Sequence, residues 1–82
     1  MKLTIKQNAV IYHLQNGAVI ITDSDYKGAV IANRKQYRIN NGLFWRLVKM
    51  NLIYQTTNKY QLYDYVLTPL GESIKTKKVD MI

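Results

Sequence analysis

Asn41, Trp45, Arg46 and Lys49 fall in one short stretch, "NGLFWRLVK", and Arg38 lies just before it. These residue types together can recognise a polyanion. Arginine and lysine neutralise phosphates, and in a major groove asparagine pairs bidentately with adenine while arginine pairs with guanine. Arg38, Arg46 and Lys49 beside the amides of Asn40 and Asn41 would also set cations next to a helix N-terminus, as phosphate binding requires. Thr57, Asn58, Lys59 and Tyr60 form a turn tip suited to following a phosphate backbone or entering a minor groove. Arg34 and Lys35 at another tip would add a second basic prong. The same cations also fit a plain solvated face with Trp45 half-buried, because exposed Lys and Arg on helices are common in soluble proteins.

Catalytic chemistry finds little to work with. His13 is the only histidine, there is no cysteine, and Asp23, Asp25, Asp64, Glu72 and Asp80 form no recognisable pairing with a base. The expectation is therefore a protein that is not an enzyme. Asp23 and Asp25 share a loop, but two carboxylates are too few for a calcium loop and are better read as turn residues. The four glycines are scattered and make no phosphate loop, so neither cofactor nor metal is expected. His13 reads as a surface residue of the first helix. Among the tyrosines, Tyr63 and Tyr65 alternate with Leu67 toward a core, whereas Tyr26, Tyr37 and Tyr60 remain open as contacts for unstacked bases.

Composition sets the wider bounds. Eighty-two residues with 48% apolar side chains support one hydrophobic core and no second one. A single domain is expected over residues 1–76, with a frayed tail at 77–82. Twelve Lys and Arg against five Asp and Glu give a formal charge of +7, which favours nucleic acid, an anionic membrane or an acidic protein as partner. No signal-peptide pattern and no run of about 18 apolar residues occurs, so a cytoplasmic protein without a membrane association is expected.

The elements that would position these residues follow from caps and periodicity. Thr4 and Gln7 have capping-box spacing for a helix over Ile5–Gln15, with Leu3, Val10, Ile11 and Leu14 on one stripe and Gly17 as a left-handed stop. Ala18–Thr22 reads as a strand ending at the polar cluster "DSD". Gly28–Ile39 reads as a hairpin around Asn33–Gln36, with a helix over Ser24–Ala32 as the competing assignment. Asn40 or Asn41 can cap a helix running to about Met50, with Phe44, Leu47 and Val48 buried and Asn41, Trp45, Arg46 and Lys49 facing away. Asn51 tolerates the left-handed exit, Leu52–Tyr54 starts a strand, and "YQLYDYVLT" returns beside it. Leu62 and Val66 on the outer face of this ribbon, unless the tail covers them, would suit dimerisation or the docking of a partner. Thr68 and Pro69 start a last helix to about Thr76, which Gly71 weakens.

The segments "LTIKQNAVIYHLQNGAVI", "LFWRLVKMNLI" and "YVLTPLGESI" resemble the first helix and strand, the third helix, and the closing strand and helix of small winged helix-turn-helix proteins of bacteria and phages. The likeness extends over most of the chain. It implies an α+β, winged-helix-like fold of three helices with a small antiparallel sheet. It also implies a DNA-binding transcriptional regulator whose partner is double-stranded DNA, possible as a homodimer. One departure stands between Thr22 and Asn40, where the family places a compact second helix and this chain reads as a hairpin. Some winged-helix proteins bind only proteins. The alternative is accordingly a protein-binding module, such as a phage-encoded anti-CRISPR-like inhibitor acting on an acidic or nucleic-acid-binding protein.

Overall fold

Reciprocal hydrogen bonds between Thr4 and Gln7 open the first helix, α1 (Ile5–Gln15). The Thr4 amide donates to Gln7 Oε1 at 2.9 Å and the Gln7 amide donates to Thr4 Oγ1 at 3.2 Å, so two donors that the helix cannot satisfy internally are satisfied locally. Gly17, at φ +98°, turns the chain out of the helix. Strand β1 (Val19–Thr22) follows, then β2 (Gly28–Ala32), β3 (Lys35–Arg38), helix α2 (Asn41–Lys49), β4 (Ile53–Thr56), β5 (Tyr63–Leu67) and a short α3 (Pro69–Ser73). The computed structural model describes residues 2–22, 27–32, 34–56 and 63–79. The expected turn residues Asp23, Asp25, Thr57 and Asn58, the tip residues Lys59 and Tyr60, and Leu62 lie outside the described residues.

All five strands form one antiparallel sheet in the order β3-β2-β1-β5-β4. Gly28–Ala32, for which a helix was the competing assignment, is a strand, as is Lys35–Arg38, and the helix is excluded over residues 28–32. The pairing of Ala32 with Lys35 tightens the hairpin. Lys35 and Gln36, expected in the turn, belong to β3, while Arg34 takes the left-handed conformation at φ +66°.

Because β3 and β4 are opposite edges of the sheet, the helix that joins them must cross its full width. Four inter-strand gaps amount to roughly 19 Å, and nine helical residues supply about 14 Å of that. Helix α2 presses Phe44 and Leu47, both fully buried, onto Ile20, Val30 and Tyr65 of the central strands, and Val10, Ile11 and Leu14 of α1 complete the same core. Val48, expected to be buried with Phe44 and Leu47, is only partly so and packs at the margin of this core.

Three further expectations are corrected. His13 is not a free surface residue: it is partly buried, meets Tyr12 edge-on at 5.5 Å, and has its Nε2 shielded without a hydrogen-bond partner. The last helix ends at Ser73 rather than Thr76. There Gln15 intercepts the chain, its Nε2 donating to the carbonyls of Gly71 (3.0 Å) and Ile74 (2.7 Å) and its Oε1 accepting from Thr76 Oγ1 (2.7 Å). Lys77, placed in the frayed tail by the sequence, exchanges two hydrogen bonds with the Asn8 side chain.

Gly71 is required by close approach. A Cβ there would collide with the Leu52 carbonyl oxygen and crowd Leu67 Cδ2 at 2.9 Å. Gly71→Ala is expected to destabilise the protein by about 1–3 kcal/mol, the usual cost of forcing an atom into a filled site. Urea unfolding checks this, with no change in midpoint as the contrary result.

Candidate nucleic-acid interface

Helix α2 begins with Asn40, whose Oδ1 accepts from the Leu43 amide at 2.7 Å. No acidic residue occupies its first turn, and Arg46 and Lys49 stand in its last. The buried pair Phe44 and Leu47 fixes the rotation of the helix. At 100° per residue, Asn41, Gly42, Trp45, Arg46 and Lys49 then share one arc facing away from the sheet. All five are exposed, with Trp45 at 43% despite its edge-on contact with Phe44 at 4.9 Å. Among the described residues, Arg46 and Lys49 form no ion pair. The two cations sit close to the helix C-terminus, which favours positive charge, so their position also serves helix stability.

Gly42 lies in the middle of this arc. A Cβ there would meet only Asn40 Oδ1 at 3.4 Å, so packing does not demand glycine, and its lack of a side chain leaves the first-turn backbone open to close approach.

The other expected site residues divide. Arg38 is at the end of β3 that leads into α2, and with Lys27, Gly28, Ile39, Asn40 and Asn41 it borders a cavity of about 360 Å³. Sequence reasoning missed Lys27, since only the pairing of Ala29 with Arg38, continued by the Ile39 amide donating to the Gly28 carbonyl at 3.2 Å, brings the start of β2 alongside the start of α2. Arg34 and Lys35 are exposed at the opposite end of β3, roughly 10 Å of strand away from Arg38. They therefore do not join the Arg38 group at the start of α2. Lys59 and Tyr60 lie outside the described residues. A second basic region also went unforeseen: Lys2, Lys75, Lys77 and Lys78 gather around Leu3, Ile5 and Val79 beside a cavity of about 500 Å³. Its lysines come from the two ends of the chain, so no local pattern could have united them.

No three His, Cys, Asp or Glu side chains gather as a metal site among the described residues, and no helix there is long and apolar enough to cross a membrane. Comparison with protein-family models, curated proteins and solved structures returns no match.

Surface residues on the arc should be separable from the core beneath them. Arg46→Ala and Lys49→Ala are expected to change stability by no more than about 0.5 kcal/mol, whereas Phe44→Ala should cost about 3–5 kcal/mol. Gly42→Ala should stabilise by about 0.4–1 kcal/mol, because alanine narrows the unfolded ensemble without strain in the helix. Thermal and urea unfolding of the four variants measure these differences.

Proposed function

We propose that this chain is a small winged-helix-type protein that binds double-stranded DNA through α2. The observation that carries this reading is the exposed arc of Asn41, Trp45, Arg46 and Lys49, which holds two cations, a bidentate amide and an aromatic ring with no carboxylate among them. The topology adds support. Strands β1, β5 and β4 are adjacent in that order, which is how a strand after the first helix and a two-stranded wing after the recognition helix are paired in a winged helix. Arg46 and Lys49 neutralise phosphates, Asn41 and Trp45 abut the groove, and the open backbone at Gly42 allows close approach. Lys27 and Arg38 border the arc at the helix start.

A second reading is favoured by one observation: the hairpin β2-β3 stands where a DNA-reading winged helix has a bracing helix. In this reading the basic arc occupies an acidic or nucleic-acid-binding protein. A stoichiometric protein partner whose binding is unchanged by added duplex would support it against the first.

Affinity for duplex should fall steeply with salt, because each neutralised phosphate contributes roughly 0.9 to the slope of log affinity against log salt. Titration of duplex followed by the fluorescence of Trp45, the only tryptophan, reads both contact and affinity. Arg46→Ala and Lys49→Ala should each lower the slope by about 1. A flat salt response, or no binding at low salt, would rule out the DNA reading.

A further inference from the structure

The second basic region shares no residue with the α2 arc. Lys2, before α1, and Lys75, Lys77 and Lys78, after α3, border the cavity of about 500 Å³. All four are exposed, and none is in an ion pair with a described residue. No carboxylate is among the described residues that line the cavity. The first turn of α1 contains no acid either, so the positive end of the helix dipole adds to the same potential.

Apolar side chains line the same cavity. Ile5, the first residue of α1, is 86% exposed, the most open of the exposed large apolar residues among those described. It belongs neither to the core nor to the residues packed against the core. Leu3 and Val79, both half-buried, stand beside it along the cavity. Hydrogen bonds hold this arrangement in place. The Asn8 side chain donates to the Lys77 carbonyl at 2.9 Å and accepts from the Lys77 amide at 2.8 Å. Gln15, two turns further along α1, holds Ile74 and Thr76. The segment after α3 therefore runs back along α1 toward its start, and a groove with basic borders and an apolar lining forms between the two.

We infer that this groove takes an acidic, extended segment of another protein. An apolar side chain of that segment is seated against Leu3, Ile5 and Val79, and its carboxylates face the four lysines. The charge of the groove calls for a polyanion, and the apolar lining decides which. A duplex offers phosphate and sugar to such a surface, which leaves Ile5 in water. A bilayer offers a flat layer of headgroups, which leaves the cavity unfilled. A polypeptide carries carboxylates and apolar side chains on one strand and satisfies both parts. Lysines, as point charges on flexible stems, suit carboxylates spread along such a strand.

The test is titration of the full-length chain into a fluorescein-labelled peptide, Glu-Asp-Leu-Glu-Asp-Phe-Glu-Asp-Leu-Glu, followed by fluorescence anisotropy at low salt without DNA. Binding with a Kd of about 10 μM is expected. The same peptide with serine at its apolar positions should bind at least about tenfold more weakly to the wild type, as should the original peptide to Ile5→Ser, because burial of one large apolar side chain is worth about that factor. Lys75→Glu combined with Lys78→Glu should also weaken binding at least about tenfold, since like charges then face the peptide. Asn8→Ala keeps every charge and apolar group of the groove but releases Lys77, and should weaken binding about threefold through the lost preorganisation. Arg46→Ala and Lys49→Ala should leave the affinity unchanged, which separates the groove from the DNA reading. Circular dichroism and urea unfolding establish that each variant is folded. No binding at about 1 mM chain would overturn the inference, as would a serine peptide that binds equally well. So would a folded Ile5→Ser or doubly substituted lysine variant with wild-type affinity. Displacement of the peptide from the Arg46→Ala, Lys49→Ala double variant by duplex DNA, or by vesicles of phosphatidylcholine and phosphatidylserine, would give the groove to a phosphate-bearing partner and equally overturn it.

Discussion

Burial of Phe44 is the constraint on which the rest of the molecule depends. Its ring lies edge-on to Tyr65 at 4.7 Å, and Gly28 leaves room above β2 where a Cβ would sit 3.4 Å from Phe44 Cδ1. Aromatic edge contacts of this kind add to area burial. With Leu47 one turn on, the ring pins α2 across the middle of the sheet while its ends are tied to the two edge strands. That fixes the roll of the helix. Asn41, Trp45, Arg46 and Lys49 are outward because Phe44 and Leu47 are inward, so core packing and surface chemistry are set by the same few residues.

Polar side chains hold the ends of this arrangement. Asn51, at φ +61°, ends α2, and the Thr68 hydroxyl donates to its carbonyl at 2.6 Å while accepting from the Gly71 amide at 3.0 Å. The Thr68 amide donates to the Leu52 carbonyl at 3.0 Å. One buried threonine thus caps α3 and ties it to the exit of α2, which satisfies backbone groups that would otherwise be buried unpaired. Gln15 does the corresponding work between α1 and the segment after α3. These are neutral, short hydrogen bonds, and the excess of cations is left on the surface.

That surface is divided. The arc of α2 and the group around Lys27 and Arg38 occupy one region, and the lysines from the two chain ends occupy another. The hairpin β2-β3 is responsible for part of the division, because it widens the sheet by two strands and carries Arg34 and Lys35 away from the start of α2.

Local sequence determined much of the framework. The Thr4–Gln7 box, Gly17, Asn40, Asn51 and Thr68–Pro69 each act within a few residues, so the starts of all three helices and the stops of α1 and α2 were legible, as was the strand pattern of Gly28–Arg38 and the outward side of α2. The sequence did not determine the early end of α3, the shielding of His13, the need for glycine at 71 or the alignment of Asp64 with Arg38. The end of α3, the glycine at 71 and the alignment of Asp64 with Arg38 depend on partners far along the chain: Gln15 for the segment after α3, Leu52 for Gly71, and three successive strand registers for the row from Asp64 to Arg38. Periodicity reports which way a side chain points relative to its own element. Only the packed sheet decides what stands opposite it.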